Sequence, residues 1–237
     1  MSDRQLALGF PSLERDPVET LADVACQAAA KAALANWRNW PGGALLLVAP
    51  RGAGKSHLGA VWAEEAGARR LDVGTEAAEL VAGSTQWTGP VFVDDADRHV
   101  AARTPHVEAG FIALLDRVKA GALGPALLTA RERPNKWPVE TPDLASRLGL
   151  PPIVEIDAPS EEDLALVFEK LLKDRGADPT ARLTTYVLRR APRSFSGLEE
   201  IAAKLDALAL QRKQKITRSL ACALFGDEDE EGEDERD

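Results

Sequence analysis

The stretch Ala49-Pro50-Arg51-Gly52-Ala53-Gly54-Lys55-Ser56-His57-Leu58 constrains this chain more than any other. It follows Ala44-Leu-Leu-Leu-Val48, a short apolar run with the character of a buried strand. It opens a stretch, residues 56–66, that reads as a helix. Strand, glycine-bearing loop and helix in that order make an anion cradle. Gly52 and Gly54 let backbone N–H groups turn inward, and the helix N-terminus adds partial positive charge. The phosphate-loop pattern is G-x-x-x-x-G-K-[ST], and here Ala49 stands at the first glycine. Alanine is acceptable there if the strand exit keeps ordinary dihedrals. Gly52, Ala53, Gly54, Lys55, Ser56 and His57 are therefore candidate nucleotide-binding residues. Lys55 is placed for the β- and γ-phosphates, and the Ser56 hydroxyl for Mg²⁺.

A second segment points to the same chemistry. Val91-Phe-Val-Asp94-Asp95 is an apolar strand ending in acids. Asp94 would hold Mg²⁺, directly or through water. Asp95 would orient or activate an attacking water, although it is one methylene shorter than a glutamate in that role. Thr129 ends the strand Ala126-Leu-Leu-Thr129, where a polar side chain meets a γ-phosphate or simply closes a strand. Arg147 lies just before the last strand; read from its neighbours alone, it is a surface arginine paired with a nearby acid. Arg193 starts a later helix and is a candidate to reach the nucleotide from that side, in competition with Arg189 and Arg190.

The order of elements gives the fold class. Residues 20–36 are alanine-rich and helical in character, and Trp37 to Gly43 ends that helix. Strands are expected at 44–48, 70–73, 90–94, 126–129 and 153–156, with helices at 56–66 and 107–119. Alternation of this kind implies α/β structure with a mostly parallel sheet. After Pro159 the pattern becomes wholly helical. Ser160-Glu161-Glu162-Asp163 is a helix start, followed by helices at 164–175, 180–190, 196–213 and 216–225. The organisation expected is a flexible peptide at 1–12, a nucleotide-binding α/β domain at 13–158, a small helical lid at 159–225 and an acidic tail at 226–237. The net charge of −9 is concentrated in that tail. Residues 227–237 hold nine acids and one arginine, −8 together, which leaves about −1 for the rest. A near-neutral body has no broad basic field for nucleic acid, so no direct sequence-specific DNA binding is expected. No apolar run approaches about 18 residues, so no membrane span is expected. No leader-like segment follows Ser2-Asp3-Arg4, and the two cysteines show no metal-ligand spacing, which fits a reducing cytoplasm.

Strand, phosphate loop, acidic strand end, polar strand end and helical lid together resemble an AAA+ ATPase. The closer resemblance is to the Hda family, relatives of the replication initiator DnaA that inactivate it. Gln5-Leu6-Ala7-Leu8-Gly9-Phe10 resembles the peptide by which such proteins bind the DNA polymerase sliding clamp, with Gln5 as polar anchor and Leu6, Leu8 and Phe10 as apolar contacts. Trp37-Arg-Asn-Trp40-Pro41 resembles the tryptophan-proline segment of alphaproteobacterial members. Lys55-Ser-His-Leu58 and Asp94-Asp95 resemble the DnaA forms of the two nucleotide motifs. Leu144-Ala-Ser-Arg147-Leu148 resembles the arginine-finger box, and Arg193-Ser-Phe-Ser-Gly-Leu-Glu199 the lid-side sensor helix. The resemblance implies ADP or ATP with Mg²⁺ as cofactors. It implies the sliding clamp and DnaA as partners, with a homodimer as a further assembly. It assigns Arg147 to act in trans on DnaA-bound ATP. Two other readings use the same motifs: a helicase or transposition loader of DnaC or IstB type that hydrolyses its own ATP, and an AAA+ scaffold that needs no nucleotide.

Overall fold

The structure is a computed structural model in which residues 24–226 are described, residue 85 excepted. The clamp-peptide residues Gln5, Leu6, Leu8 and Phe10 and the tail from residue 227 lie outside the described residues.

Five parallel strands form one sheet: β1 (Ala44–Val48), β2 (Arg69–Arg70), β3 (Val91–Val93), β4 (Ala126–Ala130) and β5 (Ile153–Glu155). Their spatial order is β2-β3-β4-β1-β5. The apolar runs read from the sequence are the central strands, as burial on both faces requires. All of β1, β3 and β4 is buried. Successive side chains then go to opposite layers. Leu46, Val48, Val91, Val93 and Leu128 face one apolar cluster with Phe111 and Leu114 of α5 (Val107–Lys119). Leu45, Leu47, Phe92 and Leu127 face another, with Leu34 of α1 (Ala28–Ala35) and Leu58 and Trp62 of α2 (Lys55–Ala66). The tryptophan-proline segment belongs to this second layer. Trp40 stacks on Trp62 with ring centroids 5.3 Å apart, and its Nε1 donates to the Ala33 carbonyl at 2.9 Å.

Three helices complete the sheet unit: α3 (Val73–Ala82), α4 (Ala96–Ala101) and α6 (Pro142–Leu148). Val73 was expected to end a strand but instead opens α3. The reason is Asp72, whose carboxylate accepts from Thr75 N–H at 3.3 Å and caps the helix, so β2 stops after two residues.

The helical remainder consists of α7 (Glu161–Lys173), α8 (Ala181–Leu188), α9 (Phe195–Arg212) and α10 (Arg218–Phe225) around an apolar cluster of its own. Each starts at a hydroxyl cap: Ser160, Thr180, Ser194 and Thr217. Such caps satisfy N–H groups that the helix cannot, typically worth ~1 kcal/mol each. Among the described residues neither Cys26 nor Cys222 is in a disulfide, and no helix is long and apolar enough to cross a membrane.

Candidate functional site

In a parallel sheet, ligands bind beyond the carboxyl ends of the strands. Here β4 lies between β1 and β3, so the loops after these three strands converge. The loop after β1 holds residues 49–54. Gly52 (φ +79°) and Gly54 (φ +87°) are left-handed, a conformation that side-chain-bearing residues rarely adopt. Ala49 is not among the positive-φ residues. It is buried, and its N–H continues the strand ladder to the Ala130 carbonyl at 3.0 Å. The first glycine of the pattern therefore has no conformational task here. Gly54 is the N-cap of α2 and offers no side chain, so the first-turn N–H groups of that helix have no side-chain cap. These features fit a phosphate group.

Lys55, Ser56 and Thr129 gather around two aspartates. Lys55 is 5% exposed and its Nζ lies 3.2 Å from Asp95 Oδ1. Asp94 Oδ1 accepts from Ser56 Oγ at 3.0 Å, Thr129 Oγ1 at 2.5 Å and Asp95 N–H at 3.1 Å. Thr129 Oγ1 in turn accepts from Asp95 N–H at 2.9 Å. Asp95 sits at φ +48°, ψ +48°, which sends the chain sharply from β3 into α4. Its carboxylate also meets Arg98 Nη1 at 3.3 Å and Arg131 Nη2 at 3.5 Å. Burial raises the Asp95 pKa, but Lys55, Arg98 and Arg131 more than offset it, so the carboxyl titrates below its ordinary range. A carboxylate so neutralised is a poor proton acceptor. His57 is displaced the other way in physical terms: burial disfavours its charged form and lowers its pKa, with Glu199 of α9 opposing. Its Nε2 is buried without a hydrogen-bond partner.

The lid meets the loop through the start of α9. Phe195 N–H donates to the Gly52 carbonyl at 2.8 Å, and a Cβ on Gly52 would lie 2.4 Å from Ser194 Cβ. Gln27, also buried, donates from Nε2 to the Ala53 carbonyl at 3.0 Å. Arg193 is exposed and its Nη2 lies 3.6 Å from Glu161. Arg147 is on α6, and Asp116 and Asp143, its partners, lie outside the phosphate-loop cluster. Its Nε and Nη2 donate to the two oxygens of Asp116 at 2.8 and 3.0 Å, and Nη1 pairs with Asp143. That fork lowers the Asp116 carboxyl and raises the guanidinium.

Sequence reasoning missed Arg70, Arg98, Arg131 and Gln27. Two of them carried a signal in the strand register. Arg131 follows Thr129 by two residues at the same strand end, and Arg70 pairs in register with Phe92, two residues before Asp94. Arg70 Nη2 donates to Asp94 Oδ2 at 2.8 Å, so both oxygens of the expected metal ligand are engaged by the chain itself. Phosphate fits this site; a divalent cation at Asp94 must compete with four donors.

The sheet order, phosphate loop and helical lid define a P-loop NTPase fold of the AAA+ type. Within that class the fold is DnaA-like. Domain III of DnaA from Thermotoga maritima is similar with a TM-score of 0.73 at 14% identity, over 88% of this chain and 94% of that one. AMPPCP-bound DnaA from Aquifex aeolicus is similar with a TM-score of 0.65 at 17% identity, over 83% of this chain and 66% of that one. The Thermotoga maritima RuvB branch-migration motor is similar with a TM-score of 0.60 at 17% identity, over 85% of this chain and 66% of that one. The sequence matches no protein-family model and no curated protein.

Proposed function

We propose that this chain is a nucleotide-binding regulator of replication initiation. On this reading residues 5–10 dock on the sliding clamp, and Arg147 is inserted at the nucleotide of a DnaA partner to stimulate hydrolysis of its ATP. The observation that carries the reading is the setting of Arg147. It is fixed by a bidentate hold from Asp116, on a helix separate from the Lys55–Asp95 cluster. To act in trans the guanidinium exchanges its Asp116 and Asp143 carboxylates for the partner's phosphate, whose geometry its fork matches equally well. A trans arginine of this kind is worth about 10³ to 10⁵ in rate. The chain's own nucleotide, ADP or ATP, is gripped by residues 52–57 and Lys55. It serves mainly to hold the lid against the loop, because Asp95 is committed to three cations. The likeness to DnaA domain III supports pairing between like AAA+ units.

The test is hydrolysis of DnaA-bound ATP with this protein added, with and without DNA-loaded clamp. Clamp-dependent stimulation that disappears in Arg147→Ala is expected. Equal stimulation by Arg147→Ala, or none by the wild type, overturns the reading. Gln5→Ala with Leu8→Ala should abolish capture on clamp beads and leave the folded core intact.

A further inference from the structure

Asp94 is where a phosphate-loop protein would anchor magnesium, yet its carboxylate is saturated from within. Oδ1 accepts from Ser56, Thr129 and the Asp95 N–H, and Oδ2 from Arg70. A carboxylate offers about four acceptor positions in all. The Arg70 guanidinium also lies 5.5 Å above the Phe92 ring, a contact that favours a cation there. Beside it Asp95 faces Lys55, Arg98 and Arg131. Two carboxylates thus face four cations, and Arg131 Nε is buried with no acceptor. Mg²⁺ dehydrates reluctantly and demands near-octahedral oxygen ligands. To ligate Asp94 directly it would have to displace Arg70 or a hydroxyl.

We propose that the site holds a nucleoside diphosphate without a divalent cation, with Arg70 taking the place of magnesium by neutralising Asp94. The inference rests on the nucleotide-binding reading above. With Arg70 in place, Asp94 carries no uncompensated charge toward the phosphates. Without it, Asp94 keeps its three neutral donors but loses its counter-charge, so the carboxylate repels the phosphates unless magnesium offsets it. Arg70 is thus a positioning residue, and it decides whether nucleotide binding is metal-dependent. Its side chain is 65% exposed, so the pair adds little to folding stability and the variant should remain folded.

The experiment is calorimetric titration of the full chain with ADP in EDTA and in excess Mg²⁺. The wild type should bind with affinities within about twofold of each other. Arg70→Ala should bind about tenfold more weakly in EDTA and recover most of the loss on adding Mg²⁺. Arg70→Lys should keep binding in EDTA. Adding Asp94→Asn to Arg70→Ala should restore it, because the repelling charge is gone. Circular dichroism melts check that each variant folds. Wild-type binding that requires Mg²⁺ overturns the proposal while leaving the nucleotide reading intact. No ADP binding in either buffer removes the nucleotide reading and this inference with it.

Discussion

Ala49 shows how a motif departure is judged one residue at a time. Its backbone is ordinary and its methyl buried, so Ala49→Gly should cost about 1 kcal/mol in lost packing and chain entropy. ADP affinity should not change. Urea melts and an ADP titration measure both. Gly52 is the opposite case. Gly52→Ala places a methyl against Ser194 at φ +79°, and should cost at least about 1 kcal/mol and loosen the lid. His57 carries the pH dependence. Its folded pKa is below 6.5, so as pH falls through that value the unfolded chain takes up a proton first and stability drops. Urea midpoints at about pH 7.5 and about pH 5.5 should differ more in the wild type than in His57→Gln. The loop residues and both aspartates were legible in the sequence because strand, glycine and acid occur in a fixed order. The cations around Asp95 were only half legible: Arg98 stands three residues on, within local reach, whereas Arg131 is far along the chain and meets Asp95 only through the β3–β4 pairing.

Helix starts were the most readable elements of the chain. Ser160 and Asp163 form a reciprocal capping box, and Asp163 also accepts from Ala25 N–H at 2.9 Å. Burial raises the Asp163 pKa, but hydrogen bonds from Ser160, Cys26 and Ala25 outweigh it and leave it lowered. The stability it gives is present above its unfolded pKa of 3.8 and is lost as pH falls through its folded value. Asp163→Ala should cost about 2 kcal/mol near neutral pH, since it uncaps α7 and strands the Ala25 N–H, and chemical denaturation measures this. The missed elements were short. The six-residue α4 and seven-residue α6 are too brief to show a 3.6-residue period. α3 escaped notice because Gly74 falls in its first turn and weakens the local preference.

The whole molecule joins a sheet unit to a helical one, with separate apolar clusters and a shared edge at the phosphate loop. A ligand bound at that edge stabilises both. ADP at about a hundred times its dissociation constant should therefore raise unfolding free energy by about 2.7 kcal/mol, and Lys55→Ala should lose the effect in urea melts. The α/β-then-helical plan was visible in the sequence, since it rests on the alternation of apolar runs. The stacking of α9 on the loop was not, because it rests on contacts between residues far apart in the chain, among them the Phe195 N–H to Gly52 carbonyl bond, 143 positions apart, and Ser194 against Gly52. The sheet's two outer strands bear on how the chain behaves in a crowded solution. β2 is only Arg69 and Arg70, and β5 ends at Glu155, which is forked to Arg133. A neighbouring molecule seeking to extend the ladder would have to strip ionised side chains of their counter-charges at either margin. Fibril growth is thereby discouraged at both margins, and concentrated preparations should stay clear.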